Sequence, residues 1–241
     1  MALLDVTGLT KSFRGLKAVK EASFSVEAGS IVALIGPNGA GKTTCFNLIA
    51  GAIAPDAGMV TLDGQRLTGL SADRTCHAGI GRTFQVVKPF AQLSVLDNVT
   101  VGALRATRDV AAAKRTARQV LELLHLERKA RAQAGTLTLP ERKRLEVARA
   151  LATGPKLLLL DEVMAGLRPT EIDEMVAVFR RLNRETGLTI LLVEHVMRAV
   201  MALAHRIIVL HHGEIIAAGT PEAVVRDPAV LASYLGGAPA A

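Results

Sequence analysis

Runs of Val, Ile and Leu without polar alternation occur at 31–35, 157–161 and 188–193, each stopping at a glycine or an acid. A strand wetted on one face alternates apolar with polar residues. A strand covered on both faces does not, so these runs predict parallel strands between layers. Further apolar runs at 3–9, 22–27, 58–62 and 206–210 read as strands, and helical patterns cover 42–50, 171–186 and 196–203. Strand, helix, strand alternation predicts an α/β fold around a parallel sheet. Residues 95–150 break that rhythm and read almost wholly helical, as a lobe inserted into the α/β core. Near the end, Thr220 and Pro221 match an N-cap and first helical position. A Gly/Ala/Pro tail at 236–241 is expected to be flexible.

Composition narrows the class. At 241 residues, half of them hydrophobic, 21% charged and 3% aromatic, the chain can bury a sizeable core. No apolar run approaches the roughly 20 residues of a spanning helix. No basic segment with a long apolar stretch opens the chain, so an intracellular protein is expected. Cys45 and Cys76 fit no metal or redox spacing and read as ordinary thiols. The net charge of +7 is local: residues 101–150 hold twelve Lys/Arg against five Asp/Glu, and the rest holds seventeen of each. That excess reads as a solvated helical face, with an acidic partner or anionic leaflet as the sharper alternative. Nucleic acid is not expected, because stacking aromatics and base-reading motifs are absent from the basic stretch.

The chemistry begins at "GPNGAGKTT". Gly36, Pro37, Asn38, Gly39, Ala40, Gly41, Lys42, Thr43 and Thr44 match G-x-x-x-x-G-K-[ST] between a strand and a helix. The glycines let backbone N–H groups turn inward around phosphate oxygens, and the helix N-terminus adds its dipole. Lys42 places a point charge between β- and γ-phosphates, and the Thr43 hydroxyl suits Mg²⁺. "LLLLDE" supplies a carboxylate at a buried strand's C-terminal end: Asp161 to hold Mg²⁺ through water, Glu162 to polarise the attacking water. "GRTFQ" ends in Gln85, a contact for Mg²⁺ and that water, and "TILLVEHV" sets His195 past a second buried strand, within reach of a γ-phosphate.

The P-loop, "TFQ", "RKRLEVARAL", "LLLLDE", a Gly-Leu-x-Pro turn and "EH", in that order, resemble the ATP-binding subunit of ABC transporters along nearly the whole chain. "GKTTCFNLIAG", "GIGRTFQ", "LSVLDNV", "LLVEH" and the ending "YLG" look most like subunits serving branched-chain amino-acid importers. The resemblance implies a P-loop NTPase (RecA-like) core with an N-terminal antiparallel β portion and an inserted helical subdomain. It implies one ABC ATPase domain across 1–241, with a core lobe at 1–84 and 151–235 and a helical subdomain at about 85–150. ATP and Mg²⁺ are the implied ligands. Phe13 stands where an aromatic stacks on adenine, and Gln85 couples the site to the helical lobe. Polytopic permease subunits would dock near 85–98, an external solute-binding protein would complete the system, and the chain would sit peripherally on the cytoplasmic membrane face. A second ATPase subunit would close two ATP sites, each joining one P-loop to the other subunit's signature. A lipid or lipopolysaccharide exporter subunit, or a soluble ABC ATPase outside transport, are the alternatives.

One part departs from the family. Where the signature resembles L-S-G-G-Q, this chain has Leu137, Thr138, Leu139, Pro140 and Glu141. Thr138 and Glu141 keep a capping box, so the helix register is expected to survive. Thr138 stands at the hydroxyl that would meet a γ-phosphate, but Pro140 has no N–H, Leu139 adds bulk and Glu141 adds charge. One lost charge-assisted hydrogen bond costs about 1.5–3 kcal/mol. Val163 and Arg168 depart nearby, from the usual proline and the usual Asn or Asp. Since a signature serves the opposite P-loop, an asymmetric heterodimer is expected, with a homodimer as the alternative. The alternative is that Arg142, Lys143 and Arg144, one turn into the helix, compensate as cations.

Overall fold

The computed structural model describes residues 2–85 and 88–235. The 236–241 tail lies outside the described residues, as do Val86 and Val87 of the expected docking segment. Two sheets organise the chain. A four-stranded antiparallel sheet comprises β1 (Ala2–Phe13), β2 (Leu16–Glu27), β4 (Ala57–Leu62) and β5 (Gln65–Arg66), in the order β2-β1-β4-β5. A six-stranded sheet has the order β10-β9-β3-β8-β7-β6. Its members are β3 (Ile31–Ile35), β6 (Ile80–Arg82), β7 (Leu157–Asp161), β8 (Thr189–Val193), β9 (Arg206–His211) and β10 (Glu214–Gly219). Neighbours run parallel except at the β9/β10 edge. The fold is the expected P-loop NTPase class.

The unalternating runs have the expected cause: every residue of β3, β7 and β8 is buried. Successive side chains of these strands enter different cores. Ile31, Ala33, Leu158, Leu160, Ile190 and Leu192 join one apolar cluster with the helices. Val32, Leu34, Leu157, Leu159, Leu191 and Val193 join a second, with β1, β2 and helix α1 (Lys42–Ile49).

The helices are α2 (Ala72–Ala78), α3 (Val95–Ala103), α4 (Val110–Leu123), α5 (Leu139–Leu151), α6 (Pro169–Thr186), α7 (Met197–Leu203), α8 (Pro221–Val224) and α9 (Pro228–Leu235). Local chemistry sets their starts. The Ser94 hydroxyl accepts the Asp97 N–H over 3.0 Å before α3, and Asp109 accepts the Ala111 N–H over 2.8 Å before α4. Thr220 caps α8, with Pro221 at its first position as its sequence predicts. α6 starts at Pro169, two residues earlier than its apolar period suggests, because proline is preorganised for a first turn. β1 and β2 run longer than the predicted 3–9 and 22–27, because register shifts around Leu9 and Lys11 blur the two-residue period.

Candidate active site

Four chain segments leave the six-stranded sheet at the C-terminal ends of its parallel strands and meet. β3 runs into the loop 36–41 and α1; β6 leads to Gln85, β7 to Asp161 and Glu162, β8 to Glu194 and His195. The loop's shape depends on glycine at two places. A Cβ on Gly36 would lie 2.0 Å from the Leu210 carbonyl oxygen, and one on Gly41 (φ 103°) would lie 2.2 Å from the Ala18 carbonyl oxygen. Neither backbone oxygen can yield, so only glycine fits. Lys42 folds over this loop: its Nζ donates to the carbonyls of Gly36 (2.7 Å) and Pro37 (2.9 Å). Burial lowers the Lys42 pKa, against the pull of Glu162 and Asp161.

A cleft lined by Ala18, residues 38–44, Gln85 and Glu162 runs along the loop. It adjoins a second, lined by Thr43, Arg82, Phe84, Gln85, Lys88, Glu146, Arg149 and Asp161. Thr43 and Gln85 line both. Gln85 Nε2 donates to Glu162 Oε2 over 2.8 Å, and His195 Nδ1 lies 3.8 Å from Glu162 Oε1. Glu162 therefore stands between the amide and the imidazole, with a backbone φ of +50°. A non-glycine residue in that region is strained by about 1–2 kcal/mol.

Asp161 is 1% exposed. Its Oδ2 accepts from Arg82 Nη2 over 3.1 Å, while Oδ1 is buried without a partner. Burial raises the Asp161 pKa, and Arg82 pulls it back. A half-satisfied buried carboxylate oxygen, sharing a cleft with a threonine hydroxyl and a glutamine amide, is an oxygen donor set suited to a hard divalent cation. The residues present fit Mg²⁺.

The structure keeps two predicted residues away from this cluster. Phe13 is exposed at the end of β1 with Lys11 Nζ 5.8 Å from its ring centre, and it lines neither cleft, although Ala18 of the same hairpin does. Thr138 lies at the start of α5, where the Glu141 carboxylate accepts both its N–H (2.9 Å) and its hydroxyl (3.0 Å). Burial alone would raise the Glu141 pKa, but the bonds from Thr138 and Lys129 bring it below the usual value, so the negative charge stays. Leu139 packs toward the turn after Glu162: a Cβ on Gly166 would lie 3.4 Å from its Cδ2. The three cations of the helix do not point freely outward. Arg142 donates to the Gly135 carbonyl, Lys143 is buried, and Arg144 pairs with Glu174. Compensation by these three finds no support in that arrangement.

Four site residues, and the inward turn of Lys143, escaped the sequence reading. Arg82 bridges Asp161 and the side chain of Asn47, 2.7 Å away. Glu194 is 1% exposed, accepts the Met164 N–H over 2.9 Å, and leaves Oε2 without a partner. Burial pushes its pKa up to about 7, with repulsion from Glu162 adding to that. A signal existed: "TILLVE" repeats the apolar-run-then-acid pattern of "LLLLD". Lys143 and Tyr234 complete the set. Burial raises the Tyr234 pKa, and the backbone N–H of nearby Gly36 draws it partly back.

A family profile for the ABC transporter matches residues 19–165. The chain belongs to the ABC transporter ATP-binding family. A second profile, the branched-chain amino acid ATP-binding cassette transporter, matches residues 214–240. The high-affinity branched-chain amino acid transport ATP-binding protein BraF of Pseudomonas aeruginosa is 38% identical over 97% of this chain and 98% of its own. LivG of Escherichia coli, with the same description, is 39% identical with the same coverage. The lipopolysaccharide export system ATP-binding protein LptB of E. coli is 36% identical over 98% of both chains. Among solved structures, the ADP conformation of the ABC transporter cassette MJ1267 superposes with a TM-score of 0.89 at 30% identity, covering 98% of this chain and all of that one. The dimeric post-hydrolysis cassette MJ0796, bound to ADP and Pi, gives 0.82 at 26% identity over 90% of this chain and 98% of that one. As an ABC ATPase, this chain is the ATP-hydrolysing subunit of a transporter, and cassettes of the family dimerise and work with membrane permeases. Among the described residues, no helix is long and apolar enough to cross a membrane.

A further cleft, of about 340 Å³, opens between the sheet-bearing part and the helices 95–151. Ala50, Ala72, Cys76, Phe84, Val101 and Arg149 are among its lining residues. Among the described residues, none of 85–98 lines it, although Phe90 and Leu93 of that segment are exposed.

Proposed function

We propose that this ABC ATPase powers import of branched-chain amino acids or related small polar solutes. The observation that carries its catalytic part is the contact of Gln85 and His195 with one strained carboxylate, Glu162, beside the P-loop. Residues 36–44 bind the phosphates through backbone N–H groups, Lys42 exchanges its loop carbonyls for phosphate oxygens, and Phe13 stacks on the adenine. Thr43, Gln85 and Asp161 hold Mg²⁺, which when bound neutralises charge on the phosphates. Glu162 accepts a proton from the attacking water, Gln85 orients that water, and His195 donates to the γ-phosphate. Residues 1–84 and 151–235 act as the core lobe, and about 85–150 as the helical lobe that moves the permease. The cleft beside Phe84 and Val101 supports a permease docking site on a cytoplasmic, membrane-peripheral subunit, extending beyond 85–98. The match to branched-chain amino-acid cassettes supports the cargo class, and an external solute-binding protein completes that importer.

The partner is a different ATPase subunit. Glu141 stays charged, Pro140 gives no N–H, and Thr138's hydroxyl is already engaged by Glu141. The opposite ATP site therefore lacks the donors that this chain's own site would receive from an ordinary signature. Reconstituting the transporter with its permeases tests both parts. Uptake of radiolabelled leucine driven by ATP supports the cargo class, while lipid release without uptake favours the exporter reading suggested by LptB. Glu162→Gln in this chain is expected to stop turnover, whereas the matching change in the partner leaves most of it. Equal loss from both refutes the asymmetry.

A further inference from the structure

Lys143 is a buried cation to which the roles above give no task. It lies on α5, five residues beyond Thr138, yet its side chain turns inward and the residue is 5% exposed. Its Nζ donates to the Glu162 carbonyl over 3.0 Å. Burial lowers its pKa, while the surrounding carboxylates of Glu194, Glu162, Asp161 and Glu146 draw it back up. Its neighbours Arg142 and Arg144 bind Gly135 and Glu174 instead, so Lys143 alone of the three reaches the site.

What it holds is the turn with the left-handed Glu162. Three bonds from sequence-distant groups fix that turn. Glu162 N–H donates to the Val193 carbonyl over 2.9 Å, Met164 N–H donates to Glu194 over 2.9 Å, and Lys143 holds the Glu162 carbonyl. The first two come from the end of β8. Only Lys143 comes from the helix that begins with the altered signature. A charge-assisted bond in a buried setting is short, directional and strengthened by the low local dielectric.

We propose that Lys143 is a positioning residue for hydrolysis, which fastens the signature helix of this chain to the backbone of its own catalytic glutamate. In a sandwich of two subunits, that helix start faces the other subunit's nucleotide. The bond gives the occupancy of one ATP site a rigid path to the base of the other. The inference rests on Glu162 being the base.

Three variants, each assembled with the partner ATPase subunit and the permeases, test it: Lys143→Met, Lys143→Arg, and Lys143→Met combined with Glu194→Gln, which removes both buried charges. Mg-ATP turnover, affinity for a fluorescent ATP analogue, thermal melting, and hydrogen exchange of amides 162–165 are the readouts. Lys143→Met is expected to lower kcat about tenfold or more with nucleotide affinity within about twofold, because it displaces the base of the chemical step and leaves the phosphate-binding groups in place. Its 162–165 amides exchange faster, and Lys143→Arg restores most of both. The double variant melts at or above Lys143→Met and remains slow. Unchanged kcat with unchanged exchange in Lys143→Met overturns the proposal, as does recovery of kcat in the double variant, which would make Lys143 a mere counter-charge. If Glu162→Gln leaves turnover of the complex unchanged, the reading of Glu162 as the base fails instead, and the exchange result then decides Lys143 alone.

Discussion

The proposed function sets two ends of the molecule against nucleotide phosphates, and they are built in opposite ways. The P-loop side is fixed from within: Gly36 and Gly41 abut backbone oxygens, Asp161 is buried, and Glu162 is gripped from two sides. The "LTLPE" side is fixed only locally, by a capping box on an exposed helix start whose Thr138 hydroxyl bonds within its own turn. The first arrangement leaves groups aimed at a ligand, such as the unpartnered Oδ1 of Asp161. The second satisfies its polar groups internally and presents Leu139, which is 47% exposed. A helix start can keep its register while losing its ligand chemistry, because capping needs a side-chain oxygen and phosphate binding needs free N–H groups.

The largest effect should come from the buried end. Glu162→Gln keeps the shape and an oxygen for Gln85 to bond but removes the proposed base, so ATP turnover of the assembled transporter should fall by about 10²-fold or more while a fluorescent nucleotide still binds. Turnover within about threefold of the parent would move the base elsewhere.

The next test rebuilds the exposed end. Leu139→Gly with Pro140→Gly restores one N–H and removes bulk in front of α5. One charge-assisted bond is worth about 1.5–3 kcal/mol and a symmetric dimer makes it twice, so self-association in a Glu162→Gln background with Mg-ATP should tighten by about 10²- to 10⁴-fold. Size-exclusion chromatography should show the parent as monomer and the glycine variant as dimer. A parent that already dimerises with ATP would mean that "LTLPE" still holds a γ-phosphate.

How far each end was legible follows from the range of the interactions. The core strands and the P-loop announce themselves because "IVALIG" and "LLLLDE" carry their burial pattern in consecutive letters. The Thr138–Glu141 cap spans three residues, and that too could be read. β6 and β10 were missed because Gly81 interrupts the first, and the residues of β10 are only partly buried at the sheet edge. Lys143, Glu194 and Arg82 were missed for a different reason. Lys143 reaches Glu162 across 19 residues and Arg82 reaches Asp161 across 79, and only the fold brings such pairs together.

Glu194 sits between the two ends and offers a pH test. Its folded pKa of about 7 lies above the usual 4.5, so the folded chain holds this proton more tightly than the unfolded chain does. The stability this contributes is complete below about pH 4.5 and is lost as pH rises through about 7. Glu194→Gln should flatten the dependence of Tm on pH between 5 and 8, with the largest gain over the parent near pH 8. Parallel Tm curves for parent and variant would show that Glu194 is ionised throughout.

The smallest expected effect probes the P-loop from outside the nucleotide cleft. Tyr234, on α9, lies beside Gly36, whose backbone N–H draws the phenol's pKa down against the rise that burial causes. That N–H stands at the bend where β3 enters the loop, so a bond formed there would order the cradle without touching its ligand. Tyr234 is 48% exposed, so water can replace the phenol and most of the bond's intrinsic strength is recovered on its loss. A net loss of about 0.5 kcal/mol is expected for Tyr234→Phe, which is roughly a twofold weaker nucleotide affinity with kcat unchanged. The ring keeps its packing in that variant, so Tyr234→Ala measured beside it separates packing from the hydroxyl. If Tyr234→Phe weakens binding tenfold, the C-terminal helix belongs with the internally fixed end of the molecule, as firmly as Gly36 itself.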